Sequence, residues 1–425
     1  MKSKKVKNTI VPKLRFPEFR DAKGWGMINL SELGKTFGGL TGKTSDDFGS
    51  GQPYVTYKQI FNSSRVDLTK CEFVTIANNE KQNTLEYGDI LFTMSSETPE
   101  EIGFSSVLLE CFKSPLYLNS FCFSFRPNNL DELRPAFSQY LFHSTIYRKS
   151  ICILAQGITR FNISKTILLN LNLPIPPNPK EQQKIADCLS SLDELICVQI
   201  LKLEALKIHK KGLMQQLFPD EGKTIPKLRF PKFRDAGEWI QYQLGNLFSE
   251  RQETGFINLP LLSLTEKEGI IPQEETKRKD NSNSDKSKYL RVYHGDIAYN
   301  TMRMWEGRSA FVDMEGLVSP AYTVCKPNAN TDSLFFSYYF KTQPLIRQFH
   351  KYSQGLVSDT LSLKFLSFST ILIQTPLKHE QQKIADVLSI IDELISVQSR
   401  KLETLKIHKK GLMQQLFPNL NTITE

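Results

Sequence analysis

Several stretches of this chain hold residue types that do chemistry in other proteins, and their spacing decides what they can do here. Phe37-Gly38-Gly39-Leu40-Thr41-Gly42-Lys43-Thr44 ends like a phosphate loop. Such a loop needs a glycine where Phe37 stands and a strand leading into it, so that backbone N–H groups can wrap a phosphate. Neither is evident, and nucleotide binding is not expected. Asp220-Glu221-Gly222-Lys223 has the letters of a nuclease core, but adjacent carboxylates in a linker cannot reach a metal from separate strands. Pro176-Pro177 lacks the Asn/Asp-Pro-Pro-aromatic context of an adenine methyltransferase, and there is no G-x-G-x-x-G. The six histidines show no metal-ligand spacing; His209 and His408 read as solvated helix positions. The seven cysteines form no CxxC pair, and a second copy of one segment puts Val387 and Ser396 where the first has Cys188 and Cys197. They read as small core residues in a reducing cytosol. The chain therefore reads as non-enzymatic, with no metal or cofactor of its own.

What remains are side chains suited to reading nucleic-acid bases. Arg pairs with guanine O6/N7 and Gln with adenine N6/N7, while Ser and Lys mostly hold phosphates. In the first half the candidates are Lys58, Gln59, Arg65 and Arg160; in the second they are Lys277, Arg278, Lys279, Arg303, Trp305 and Arg308. For each singly the alternative is a solvated surface residue, since base reading needs a groove geometry that sequence lacks. The net charge of +9 supports the idea weakly because of where it sits. Residues 1–24 hold eight Lys/Arg against two Asp/Glu, whereas 25–180 hold fourteen of each and 239–379 hold sixteen against fourteen. A strong phosphate grip would need help from another protein.

The elements that must position these residues come in duplicate. Residues 181–219 return at 380–418 with 32 of 39 positions identical, and PKLRFPEFRDA at 12–22 returns as PKLRFPKFRDA at 226–236. The repeat is a whole domain plus a helix, far longer than a solenoid unit. Between the copies the sequences differ but stay colinear: Gly88-Asp89-Ile90 parallels Gly295-Asp296-Ile297, and Gln156-Gly157 parallels Gln354-Gly355. Short β-type runs between Gly, Asn, Asp and Pro turns, mixed with helical stretches, predict α+β inserts. The expected boundaries are a basic N-terminal arm 1–24, a first domain 25–178, a helix 179–218, a linker 219–238, a second domain 239–376, a second helix 377–418 and a tail 419–425. No apolar run is long enough to span a bilayer, and no secretory signal is evident, so the expected location is cytoplasmic.

In the first helix apolar residues fall at alternating steps of four and three: Ile185, Leu189, Leu192, Ile196, Leu203, Leu206, Leu213 and Leu217. Gln199 and Lys210 fill the gaps, as Gln398 and Lys409 do in the second. That period is a coiled-coil seam. Asn178-Pro179-Lys180-Glu181 supplies a cap, Pro at N1 and Glu at N3, and 38 residues make a rod of roughly 57 Å. Antiparallel pairing gives the chain a pseudo-two-fold axis and would bring Gln199 and Gln398 together near it, where a polar pair fixes register. A seam needs only its inner positions. Yet Lys184, Asp187, Lys207, Lys210 and Lys211 also have identical counterparts. Matching outer faces suggest two equal docking surfaces, with Lys184, Lys207 and Lys211 on one helix and Lys383, Lys406 and Lys410 on the other.

A duplicated unit with two variable inserts and near-identical EQQKIA…GLMQQLF helices resembles the specificity subunit of type I restriction-modification systems, across essentially the whole chain. The resemblance implies two similar α+β target-recognition domains joined by two long antiparallel helices. Each domain would read one half of a bipartite, asymmetric site in double-stranded DNA. The helices would fix the spacing and dock two modification (methyltransferase) subunits, with restriction subunits joining through them. S-adenosylmethionine, ATP and Mg would be held by those partners, none by this chain. A stand-alone two-domain DNA-binding regulator and an interaction scaffold are the alternatives; the first predicts tight specific binding by the chain alone, the second complex formation without DNA preference.

Overall fold

Asn178 starts the first long helix as its sequence predicts. In the computed structural model, which describes residues 9–157, 159–265, 269–276, 282–283, 285–357 and 360–419, its Oδ1 accepts from the Lys180 N–H at 3.0 Å. The helix then runs unbroken over Pro179–Leu217, and its repeat over Lys378–Leu416. The chain folds as two units. One holds residues up to Ile200 and from Lys401 on; the other holds Leu201–Arg400. Each thus owns the first part of one long helix and the last part of the other.

In the first unit the central sheet has the order Gly34–Gly38, Cys122–Pro127, Ile90–Thr93, Ser105–Val107, all antiparallel. The second repeats it with Phe248–Glu250, Tyr322–Pro327, Ile297–Asn300 and Ser309–Phe311. The colinear Gly-Asp-Ile motif is the turn into the third strand of each. Asp89 is buried and receives Arg126 from the neighbouring strand at 2.8 and 2.7 Å. Asp296 receives Arg251 at 2.8 and 3.2 Å. Each carboxylate also accepts the N–H of the residue that opens the turn, Glu86 or Tyr293. The motif therefore builds the frame rather than a reading surface. One expectation about this region is corrected: the strand Gly34–Gly38 does lead into the Gly-rich 37–44 segment. The element after that segment is a three-residue 3-10 turn, Ser45–Asp47, so it still lacks the helix N-terminus on which a phosphate loop depends.

The repeated helix ends explain themselves as core. Leu416 and Phe417 pack in the first unit with Trp25, Phe137, Ile185 and Leu189. Leu217 and Phe218 do the same in the second with Trp239, Phe335, Ile384 and Leu388. Phe417 meets Trp25 edge-on and stacks on Phe137 at 5.5 Å, while Phe218 stacks on Tyr339 at 5.0 Å. The start of one helix and the end of the other thus lie side by side within each unit, running antiparallel.

Polar contacts fix that arrangement. Lys409 pairs with Asp193, which also accepts from Tyr140 Oη at 2.9 Å. In the second unit Lys210 reaches both oxygens of Asp392, at 2.6 and 2.7 Å, and Tyr338 Oη donates to the same carboxylate at 2.8 Å. Both lysines lie over their tyrosine's ring. The two Lys gaps in the apolar seam are therefore clasps that join two helices and a domain. Lys210 faces inward, not onto the outer face where its repetition had suggested placing it.

His143 lies beside the first clasp, with Nε2 2.8 Å from the Ser105 carbonyl, so that nitrogen carries the proton. Burial holds the imidazole below its ordinary value of 6.5; the bond to Ser105 opposes this, and the Arg148 and Lys409 charges add to it. As the pH falls below 6.5, the unfolded chain takes up a proton that the folded chain resists, so stability is lost on the acid side. Urea unfolding of the full chain above and below that pH should show the loss, and His143→Gln should flatten it.

The described cysteines are all free thiols. Cys122 and Cys325 are buried as expected, whereas Cys111 and Cys197 are exposed, so these two are not core residues. Among the described residues, no helix is long and apolar enough to cross a membrane.

Candidate functional site

Two kinds of surface emerge from this frame: the loops each unit displays at the end of its Ile90–Thr93 or Ile297–Asn300 strand, and the outer faces of the long helices. The loops are built alike. In the first unit Ile163 N–H donates to the Met94 carbonyl at 2.9 Å, docking the Gln156–Asn162 hairpin against the strand end. In the second, Leu363 N–H donates to the Thr301 carbonyl at 2.8 Å, docking the hairpin bridged by Gln354 and Ser362. The paired Gln-Gly motifs open these hairpins. Gly157 and Gly355 have φ of +130° and +152°, conformations that a side chain strains.

The predicted base readers separate on this scaffold. Arg160 sits on the first hairpin, exposed, and donates from Nη2 to the buried Ser95 Oγ at 3.1 Å. Lys58 is exposed on the short helix Tyr57–Asn62. Its neighbour Gln59 points inward instead: it is buried, and its Oε1 accepts the Asp67 N–H at 3.0 Å. Its amide holds a loop in place, which removes it from the displayed readers. Arg65 is exposed, paired with Glu110 at 2.6 Å. In the second unit Arg303, Trp305 and Arg308 come together around Glu306, which takes Arg303 at 3.3 Å and Arg308 at 2.7 Å. Trp305 Nε1 donates to the Met302 carbonyl, and its ring meets His350 edge-on. Lys277, Arg278 and Lys279 lie outside the described residues.

Sequence reasoning passed over the cleft beneath the first hairpin. It measures about 760 Å³ and is lined by Tyr57 and Phe61, by Ser95 and Glu97 just past the strand, by Glu101, and by Arg160. Convergence of the Gly-Asp-Ile strand and the Gln-Gly hairpin was the available signal, since both motifs recur in both halves.

On the helices, much of the repetition serves internal packing. Glu181 is buried and receives Arg15 of the first PKLRF element through Nε and Nη2, both at 2.7 Å. Glu380 receives Arg229 of the second element at the same two distances. The next residue ties the helix to its domain: Gln182 Nε2 donates to the Pro176 carbonyl, and Gln381 Nε2 to that of Pro376. Among the candidate docking lysines, Lys184 pairs with Glu18 at 3.3 Å and Lys207 with Glu204 at 2.7 Å. Lys211, Lys383, Lys406 and Lys410 are exposed. Glu18 is replaced by Lys232 in the second element, the one difference between those two 11-residue copies. Gln199 and Gln398 are both buried.

Exposed apolar residues accompany the lysines along the long helices. The first unit exposes Leu195, Val198 and Ile407; the second exposes Leu394, Val397 and Ile208, residues of the same types at the repeat-equivalent positions. In the first unit the Lys409–Asp193 clasp sets Ile407 level with Leu195, and the Lys210–Asp392 clasp sets Ile208 level with Leu394. Neither unit covers its set with its own residues.

Among the described residues, no group of three or more His, Cys, Asp or Glu could hold a metal ion. Comparison with known proteins assigns the architecture. The family model for the type I restriction modification DNA specificity domain matches the chain twice, over residues 22–208 and 239–406. The MjaX type I restriction enzyme specificity subunit of Methanocaldococcus jannaschii is 27% identical over 409 residues, covering 92% of each chain. The EcoKI specificity subunit of Escherichia coli K12 is 24% identical, over 70% of this chain and 64% of its own. Among solved structures, the type I restriction-modification S subunit from M. genitalium aligns with a TM-score of 0.58 at 14% identity, covering 97% of this chain and all of its own. A chain from a study of complex assembly in a type I restriction-modification system aligns at 0.54 and 14%, over 93% of this chain and 98% of its own.

Proposed function

The chain belongs to the type I restriction-modification DNA specificity family and is a specificity subunit with two target-recognition domains; from that premise we propose how it divides the work. Each domain reads one half of a bipartite, asymmetric site in double-stranded DNA. The chain performs no bond chemistry itself. Two modification (methyltransferase) subunits dock on the two equivalent helix faces, the lysines Lys207 and Lys211 flanking one apolar set and Lys406 and Lys410 the other. Restriction subunits join through them where the system carries them. S-adenosylmethionine, ATP and Mg belong to those partners, and the complex works in the cytoplasm.

One observation carries this reading: the two units keep the same frame, with equivalent hydrogen bonds at the hairpin, the Gly-Asp turn and the clasps, while the side chains displayed on the frame differ. Like frames with unlike displays fit two different half-sites. Like apolar sets with like lysines fit two copies of one partner, because large apolar side chains exposed at matching positions favour an interaction site. The near-even charge of the inserts supports a phosphate grip shared with those partners.

The test is a head exchange. The full chain, expressed with its modification subunits, should direct N6-methyladenine to one bipartite motif. Replacing residues 244–376 with the corresponding segment of a relative should change one half of that motif and leave the other intact. A methylation map that ignores the presence of the chain would overturn the assignment, and changes in both halves would overturn the division of labour.

A further inference from the structure

We propose that the cleft beneath the Gln156–Asn162 hairpin is the base-reading pocket of the first domain, that Arg160 recognises a guanine there, and that Glu97 recognises the amino group of a neighbouring cytosine. This deepens the half-site reading and rests on it.

The geometry positions Arg160 as a reader rather than as a solvated charge. Its Nη2 is anchored on Ser95 Oγ, and Ser95 is itself buried, with its carbonyl accepting from Tyr57 Oη at 2.6 Å. The anchor uses one of five guanidinium donors. Two parallel N–H groups remain for the O6/N7 edge of guanine, the pairing that Arg makes best. Tyr57 and Phe61 stack on one another at 6.1 Å and 19° to form an apolar wall of the cleft. Such a wall suits the flat, weakly hydrated body of a base better than a phosphate.

Charge points the same way. Glu97 and Glu101 line the same cleft as Arg160, and among the described residues neither carboxylate has an ion-pair partner. Two carboxylates against one guanidinium repel a phosphate. They are complementary to the exocyclic amino group that cytosine presents in the major groove, from which Glu and Asp accept. Glu97 is exposed at the mouth while Glu101 is half-buried, which places Glu97 as the group that meets the base.

The second unit supplies the contrast. The same backbone bond docks the same hairpin, but Thr301 is followed there by exposed Met302, and the hairpin tip carries Leu356, fully exposed, and Val357. Among the described residues, neither Met302 nor the exposed Leu356 and Val357 repeats the Arg160 and Glu97 chemistry, and the Arg303 and Arg308 charges nearby are taken up by Glu306. A scaffold held constant while its displayed chemistry changes marks the displayed positions as those that set specificity.

The test uses the full chain in complex with its modification subunits, with N6-methyladenine mapped at single-base resolution. Arg160→Ala should lower discrimination at one guanine position of one half-site roughly ten- to hundred-fold. Glu97→Gln should relax an adjacent cytosine position of the same half-site, and the other half-site should not change. Size-exclusion chromatography and unfolding curves establish that the variants fold and assemble. Should Arg160→Ala abolish methylation, the Glu97→Gln map decides. Variants that assemble and methylate the unaltered motif would overturn this inference while leaving the specificity assignment standing, and relaxation in both half-sites would overturn it as well. A wild-type chain that directs no bipartite motif would remove both.

Discussion

Arg229→Ala is expected to destabilise the second unit by about 3–5 kcal/mol, because it strands a buried carboxylate. Glu380 keeps 1% of its side-chain surface and Arg229 8%, and the guanidinium meets both carboxylate oxygens at 2.7 Å. The Glu380 hydrogen bonds raise the guanidinium's already high pKa, so Arg229 stays charged. A loss of that size is a large fraction of the roughly 5–15 kcal/mol that a domain typically has in hand. Removing both partners should cost far less than removing one: Arg229→Met with Glu380→Leu leaves no unpaired charge. The first unit gives a different result for a visible reason. There Trp25 Nε1 also donates to Glu181, at 3.0 Å, whereas the buried Trp239 Nε1 has no partner among the described residues. Arg15→Met with Glu181→Leu therefore leaves an indole N–H unsatisfied and should retain a penalty of about 1–3 kcal/mol. Urea unfolding of both double variants measures the difference. Equal costs in the two units would show that the indole bond contributes nothing.

These clasps also show what the sequence could and could not say. The long helices, their antiparallel sense, the α+β inserts and the Asn178 cap were all legible, because periodicity and capping leave marks within a few residues. Ile185, Leu189, Leu203 and Leu217 occupy the seam positions that their spacing assigned, and all are buried. The PKLRF element was legible as a repeat but not as a lock, since Arg15 and Glu181 lie 166 positions apart. Lys409 and Asp193 are separated by 216. A lysine in an apolar seam looks like a concession to solvent until its distant partner is known.

The candidate site divides in the same way. Arg160, Arg303, Trp305 and Arg308 are proposed from their type and loop position, and the structure displays Arg160 on the hairpin and gathers the other three around Glu306. Gln59 failed because a short helix turns consecutive residues to opposite sides: Lys58 faces solvent and Gln59 the interior. The cleft residues Tyr57, Ser95 and Glu97 come from separate elements, and no local pattern announces that they meet. Much of the identity between the long helices, read as evidence of docking, belongs to internal contacts at Glu181, Gln182 and Phe218. What remains after subtracting those contacts is a smaller set, the exposed lysines and the matching exposed apolar residues, and it makes the stronger case for a partner.

Gly157→Ala and Gly355→Ala should each disable one half of target recognition while leaving the fold nearly intact. At Gly157 a Cβ would lie 2.0 Å from the Arg160 carbonyl oxygen; at Gly355 it would lie 2.6 Å from that of Thr360. Both clashes are with backbone, which cannot rotate away, and both glycines hold positive φ. Relief requires opening the hairpin, and that carries Arg160 off Ser95 in the first unit and displaces the Leu356 tip in the second. Losing one bidentate base contact costs about 1–3 kcal/mol of discrimination, and a displaced hairpin loses every contact on it. Global stability should change much less, because both hairpins lie at the surface and only Phe161 of the first packs against a core. Methylation maps of the two single variants should therefore lose specificity in opposite half-sites, with unfolding midpoints close to wild type. The result that would refute this is a pair of variants that relax the same half-site, since the two hairpins would then not belong to two separate reading domains.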